Sequence, residues 1–167
     1  MKKHIRKKFD ADDYENNDLA FSYFERDVIN YNNLNGTSYF PVLKYEDYNI
    51  DVAVYYNKND YLDNKEPIFY IELEIKTKDA ANWEKNNYPY SDIHFLYRKD
   101  HLIIQDALPF WVCYNYDGTD SVIIPIENVS AYPIALNGSK YGDYIHIIPT
   151  EALVFGNENL LKYIELL

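Results

Sequence analysis

Three side chains in the first half of the chain have the types and the spacing that metal-dependent hydrolysis of a phosphodiester requires. Asp51 lies in the segment YNIDVAVYY, and Glu74 and Lys76 lie in FYIELEIKTK. Such hydrolysis needs a divalent cation held by carboxylate oxygens, which polarises the phosphate and lowers the pKa of a bound water. A nearby lysine can orient this water or stabilise the developing charge. Two carboxylates on neighbouring strands, with a lysine two residues after one of them, would meet this need.

The elements that must position these residues are two β-strands, because both segments are rich in Val, Ile and aromatic residues. We predict strands at about residues 48–57 and 67–77. Side chains alternate between the two faces of a strand. In the second strand the two sets are Tyr70, Glu72, Glu74 and Lys76 on one face and Phe69, Ile71, Leu73 and Ile75 on the other. Glu74 and Lys76 then lie roughly 7 Å apart along the strand, and Asp51 joins them if the two strands pair.

The same alternation has a second interpretation. An antiparallel sheet with one face in water also alternates charged and apolar residues. Cross-strand ion pairs would then explain Lys76. Glu72 fits both interpretations, either as a second metal ligand or as a residue of a solvated face.

Other segments predict helices and further strands around this pair. The spacing of Phe21, Phe24, Val28 and Tyr31 predicts an amphipathic helix at about residues 18–31. A strand at about 38–45, a short helix or irregular crossing at 79–88, and a strand in SDIHFLYRK follow. Two β-rich runs flank Asp117-Gly118, which predicts a hairpin. A short helix in IENVSAY, a strand in YGDYIHIIPTEALVF and a terminal helix in NENLLKYIELL complete the chain.

This order of elements predicts an α/β or α+β fold, with a central mixed β-sheet flanked by helices. With 167 residues, the chain is expected to form one domain, residues 18–167, preceded by an N-terminal arm, residues 1–17. The arm is basic over its first eight residues, MKKHIRKK, and then acidic.

At these residues the sequence resembles the PD-(D/E)XK nuclease superfamily. The similar pieces are the helix near 18–31, the segment NID that ends in Asp51, and the segment ELEIK that ends in Lys76. The resemblance implies a restriction-endonuclease-like core over about residues 18–126. It also implies that Asp51 and Glu74 are metal ligands, that Lys76 is the catalytic lysine, and that Glu25 of the first helix is a further acidic ligand. Ile50 stands where the family name places proline.

The function that follows is a metal-dependent nuclease that uses Mg²⁺ or Mn²⁺ and cuts DNA in preference to RNA. The basic arm could contact substrate phosphates. Further candidates for substrate binding are Lys78, His94, Arg98 and Lys99. The last three lie in SDIHFLYRK, which could equally be a polar strand face or a loop.

The net charge of −11 makes nucleic-acid binding depend on local basic groups, because an acidic surface repels phosphates. The alternative function is a catalytically inactive protein of the same fold that acts through protein–protein contacts, as a viral accessory or virion component. A third alternative is a decoy that mimics the charge of nucleic acid. The oligomeric state is open in each case, and a homodimer is one option.

The composition also limits where the protein acts. Cys113 is the only cysteine, so no internal disulfide can form, and the apolar run FWVCY predicts a buried thiol. No segment approaches the roughly 18 apolar residues of a membrane span, and no apolar stretch follows the basic N-terminus. We therefore expect no membrane contact and a cytoplasmic location, which for a viral protein would be the host cytoplasm or the virion.

Overall fold

Two β-sheets, with the two longest helices on one side of the larger sheet, form the described part of the chain. The structure, a computed structural model, describes residues 11–44, 50–76, 92–96, 102, 109–136 and 144–165. The strands are β1 Phe40–Leu43, β2 Val52–Tyr55, β3 Phe69–Ile75, β4 Asp92–Leu96, β5 Pro109–Tyr114, β6 Ser121–Pro125, β7 Ile134–Leu136, β8 Tyr144–Pro149 and β9 Val154–Phe155. The helices are α1 Ala11–Asn35, α2 Lys58–Leu62, α3 Ile126–Val129 and α4 Leu160–Glu165, with 3₁₀ turns at Thr150–Ala152 and Asn157–Asn159.

The larger sheet has six strands in the order β1-β2-β3-β5-β6-β9, and the smaller sheet has the order β4-β8-β7. In the larger sheet β3 pairs antiparallel with β2 and parallel with β5, so the sheet is mixed. The predicted fold class is confirmed, and the strands predicted at 48–57 and 67–77 do pair, as β2 and β3. Asp51 itself, predicted within the first of them, lies just before β2. The separate three-stranded sheet was not predicted. It contains β4, the strand predicted in SDIHFLYRK, which the sequence did not assign to a particular sheet.

Each face of the larger sheet is covered by a different layer. On one face, Ile71 and Leu73 of β3 pack with Phe24 and Val28 of α1 and with residues of α4. On the other face, Trp111 and other residues of β5 and β6 pack with residues of β4 and β8 in the smaller sheet. Strand β3 therefore lies inside the fold, between the helical layer and the smaller sheet.

Helix α1 is longer than the sequence pattern indicated. It begins at Ala11 instead of near residue 18, so residues 11–17 of the predicted arm are helical. Acidic residues such as Asp13 and Glu15 suit the first turns because they interact favourably with the positive end of the helix dipole. The helix ends at Asn35, and Gly36 follows with φ +67° while its N–H donates to the carbonyl of Asn32. This is the left-handed glycine cap that ends many helices.

The predicted hairpin between β5 and β6 is confirmed, with Gly118 at φ +68° in its turn. A Cβ at this glycine would lie 2.5 Å from ring atoms of Tyr23 in α1. The turn therefore requires glycine both for its backbone conformation and for the close approach of the helix.

Several predictions concern residues that the structure does not describe. The segment 79–88 is one of them, and residues 1–10 are another.

Cys113 is buried as predicted. In the described part of the chain, no helix combines the length and apolar character needed to cross a membrane.

Candidate functional site

The candidate site begins at a bend in the chain just before β2. The ladder between β2 and β3 ends at the pair Val52 and Ile71. Val52 packs under the helical layer, whereas Ile50 packs with the smaller-sheet layer, so the chain changes direction at Asp51. The carboxylate of Asp51 accepts a hydrogen bond from the backbone N–H of Leu73, with Oδ2 2.8 Å from the nitrogen. Asp51 is thereby fixed to β3 at the residue between Glu72 and Glu74.

The two glutamates of β3 lie on the face that is turned towards the smaller sheet. Leu73, between them, packs on the helical face, so alternation directs both glutamates to the other side. Glu72 is only 3 % exposed and lies level with Trp111 of the neighbouring strand. Asp51 and the two glutamates are therefore attached to the same short length of β3.

Trp111 holds the second glutamate in place. Its indole Nε1–H donates to Oε2 of Glu74 at 3.2 Å. The ring is fully buried and packs edge-on against Phe95 of β4, with the ring centroids 5.8 Å apart. The smaller sheet thus fixes Trp111, and Trp111 in turn orients Glu74. We missed this role because the segment LPFWVCYNY indicated only a strand of a hairpin.

Lys76 follows the last residue of β3 and continues its backbone pairing with β5. Its N–H donates to the carbonyl of Tyr114 at 3.0 Å, which continues the parallel ladder with β5. By alternation its side chain shares the face of Glu74, roughly 7 Å further along. The side chain is half-buried, and it forms no ion pair with any described residue.

The interpretation of this strand as part of a sheet with one solvated face is wrong. Strand β3 has a parallel neighbour, Glu72 is buried, and Tyr70, Glu74 and Lys76 on the same face are half-buried. A buried carboxylate is costly unless hydrogen bonds, a counter-ion or a ligand compensates for the lost water. The glutamates of β3 therefore need a structural or functional reason, which a surface location would not require.

Other predicted site residues are not brought to this place. Glu25 is exposed on α1, and α1 packs on the opposite face of the sheet from Glu74. His94 is exposed on β4, where its Nε2 lies 3.1 Å from Oδ1 of Asp92. Its neighbours Ile93 and Phe95 point into the core, so His94 points outwards. Lys78, Arg98 and Lys99 lie outside the described residues.

Lys44 is a basic residue of the site that the sequence did not indicate. It follows β1, and its backbone N–H donates to the carbonyl of Asp51 at 2.7 Å. Its ammonium lies 5.4 Å from the centroid of the Tyr70 ring. Burial raises the pKa of Tyr70, with smaller contributions from Glu66 and Tyr55, so this phenol keeps its proton at neutral pH.

The carboxylates provide the oxygen ligands that Mg²⁺ and Mn²⁺ prefer, but no complete cage. Among the described residues, no three or more His, Cys, Asp or Glu side chains are grouped as metal ligands would be. Mg²⁺ does not need such a group, because it commonly keeps several waters and uses one or two carboxylates together with substrate phosphates. Oε1 of Glu74 accepts no hydrogen bond from a described residue, so it is available to a cation. Asp51 and Glu74 each provide carboxylate oxygens of the kind that Mg²⁺ binds.

Comparison with solved structures relates the fold to that of a viral protein. No known protein family matches the chain, and no curated protein is detectably similar to it. The chain is similar in structure to D212, a nuclease from a fusselovirus, with a TM-score of 0.56 and 15% sequence identity. The similarity covers 89% of this chain and 89% of the viral protein. At this identity the likeness shows a shared fold over most of both chains.

Proposed function

We propose that this protein is a metal-dependent nuclease of the PD-(D/E)XK type that hydrolyses phosphodiester bonds, with DNA as its main substrate. The observation that carries the proposal is the hydrogen bond from the backbone N–H of Leu73 to Asp51, which ties this carboxylate to β3 at the residue between Glu72 and Glu74. The arrangement lies in a fold similar to that of a viral nuclease. The likeness of the fold supports a nuclease in general, and the metal-dependent chemistry rests on the carboxylates and Lys76.

In this proposal each residue has a distinct task. Asp51 and Glu74 would hold Mg²⁺ or Mn²⁺, and the ion would supply Lewis-acid polarisation of the phosphate and a more acidic water. The backbone of Leu73 and the indole of Trp111 keep the two carboxylates oriented, as hydrogen bonds to metal-ligating groups commonly do. Lys76 lies beside the developing charge and stabilises it or orients the attacking water.

The test is a cleavage assay with Mg²⁺ or Mn²⁺ on supercoiled plasmid, linear DNA and an RNA oligonucleotide. The wild type should cut DNA, and a chelator should stop the reaction. Lys76→Ala should lower the rate about 10²–10³-fold, the usual effect of removing one group that stabilises transition-state charge. Its stability should change by no more than about 1 kcal/mol, because the lysine is half-buried and makes no ion pair with a described residue.

Lys162→Ala is the matched control, because this exposed lysine lies on α4 in the helical layer. It should leave the rate unchanged. Equal rates for Lys76→Ala and Lys162→Ala would contradict the role of Lys76. A wild type that cuts no substrate with either metal would contradict the proposed function as a whole.

One observation favours a second candidate, a catalytically inactive protein of this fold that acts through protein contacts. Asp51 and Glu74 each have a structural partner in Leu73 and Trp111, so both could serve the fold alone. In that case Asp51→Asn would lower stability, and no divalent ion would bind to the wild type.

A further inference from the structure

Lys44 is held beside the candidate site by two contacts that differ in kind. Its backbone is bonded to the carbonyl of Asp51, the residue whose carboxylate enters the site. Its ammonium lies over the ring of Tyr70, which stands two residues before Glu72 on the same strand. Because residues two apart share a strand face, Tyr70 and the lysine over it border the carboxylates. Lys44 is therefore held beside the site both by its backbone and by its ammonium.

The distribution of positive charge distinguishes Lys44 from the other basic residues. The described part of the chain contains six, Arg26, Lys44, Lys58, Lys65, Lys76 and Lys162. Arg26 and Lys65 are engaged in ion pairs with Asp27 and Asp60.

Two of the remaining four basic residues are remote from the carboxylates. Lys58 begins α2 beyond the far end of β2 from Asp51, and Lys162 lies on α4 in the helical layer. Lys44 and Lys76 are thus the two described cations that border the carboxylates, and they lie on different strands. Lys44 forms no ion pair with a described residue.

A lysine in this setting suits a phosphate better than it suits a structural role. The Tyr70 ring attracts the ammonium through its π-face and limits the positions the flexible side chain can take. An ammonium held in this way keeps N–H donors for an anion. A chain with a net charge of −11 repels a polyanion over most of its surface, so a cation fixed beside the carboxylates would have a disproportionate effect on binding.

We propose that Lys44 binds a backbone phosphate of the nucleic acid beside the phosphate that is cut, with Tyr70 as the platform that positions its ammonium. The two lysines would then hold the substrate strand from both sides of the carboxylates, Lys44 through a neighbouring phosphate and Lys76 at the reacting one. This inference rests on the proposed function for the class of its ligand. Its test does not depend on cleavage.

The experiment measures the binding of fluorescent duplex and single-stranded DNA of equal length by anisotropy, in the presence of a chelator. Lys44→Met keeps the apolar stem that covers Tyr70 and removes the charge. It should weaken duplex binding about fivefold at 0.1 M salt, and reduce the slope of log affinity against log salt by about 0.9, the value for one phosphate contact. Lys58→Met is the matched control and should change neither quantity. Lys44→Arg should bind within about twofold of the wild type, because it keeps the charge.

The outcomes separate this inference from the proposed function. Binding that depends on Lys44, together with no cleavage in Mg²⁺ or Mn²⁺, would support the phosphate contact and contradict the nuclease. Cleavage by the wild type, together with equal affinity of Lys44→Met and Lys58→Met, would overturn the phosphate contact alone. A wild type that binds neither duplex nor single-stranded DNA would also overturn the phosphate contact. A thermal melt of each variant separates lost binding from lost folding, and a folded Lys44→Arg that binds as weakly as Lys44→Met would count against a charge-based contact.

Discussion

Carboxylates lie on both sides of the larger sheet, and they differ in the groups that bind them. On the helical side, Asp27 of α1 is 8 % exposed and receives hydrogen bonds on both of its oxygens. The donors are the guanidinium of Arg26 and the hydroxyl of Tyr114, and Arg26 also donates to the carbonyl of Gly118. This network joins α1 to the β5–β6 hairpin.

On the side of the smaller sheet, Glu72 and Glu74 share a face of β3, and Asp51 is hydrogen-bonded to the backbone of the residue between them. Asp51 accepts from a backbone N–H and Glu74 from an indole N–H, and both donors are neutral groups. Like charges placed together raise one another's energy unless a cation joins them. Asp27 thus has a charged partner within the fold, whereas in the proposed function the partner of Asp51 and Glu74 is a cation from outside. The predictions below test this difference between the two faces.

The largest expected effect on stability is on the helical face. Phe24 of α1 is completely buried among residues of β3, β5 and α4. Phe24→Ala should lower the free energy of unfolding by about 3–5 kcal/mol, because it removes apolar burial and leaves a cavity. Urea denaturation measures this loss. A change below about 1 kcal/mol would show that the helical layer does not stabilise the sheet.

A pH-dependent effect is expected from Asp27. Burial raises its pKa above the ordinary 3.8, and the hydrogen bonds from Tyr114 and Arg26 oppose this without cancelling it. The native state then binds the proton more tightly than the unfolded state, so the contribution of Asp27 to stability falls as pH rises from 3.8 through the raised pKa. Above that pKa the cost of the buried charge is fully present.

The measurement is the stability of the wild type minus that of Asp27→Asn, followed from pH 3.5 upwards by denaturant unfolding. Since the asparagine does not titrate, the difference should decline with rising pH over that window and then level off. A difference that grows with pH would contradict the account, because it would mean that the pair with Arg26 outweighs the burial of Asp27.

The smallest expected effect on stability is at Glu74, on the side of the smaller sheet. Glu74→Gln keeps an oxygen that can accept from Trp111 and removes one charge from the group of carboxylates. Its free energy of unfolding without metal should differ from that of the wild type by no more than about 1 kcal/mol, with any change in the stabilising direction as like charges are relieved. Cleavage should nevertheless be lost. A marked destabilisation without metal would show that Glu74 serves the fold and not a cation.

The sequence predicted the centre of this molecule better than its edges. Alternation in FYIELEIK was sufficient to assign β3 and to separate its two faces, because the side chains of a strand alternate with a period of two, but it did not predict that Glu72 is buried. The bend at Asp51 could not be read in the same way, since it depends on where β2 leaves β3. The roles of Trp111 and Lys44 also depend on side-chain contacts between different elements, with Phe95 and Tyr70, which a local sequence pattern does not reveal. Glu25 was carried over from a family pattern, and the packing of α1 places it away from the carboxylates.

The account depends most directly on the binding of a divalent ion by Asp51 and Glu74. Titration calorimetry with Mn²⁺ on the wild type, Asp51→Asn and Glu74→Gln tests this, with Glu25→Gln as the matched control on the helical side. We predict heat of binding for the wild type and for Glu25→Gln at about 1 mM metal, and little or none for the other two variants. No binding to the wild type, or equal binding to the wild type and a folded Asp51→Asn, would contradict the central claim.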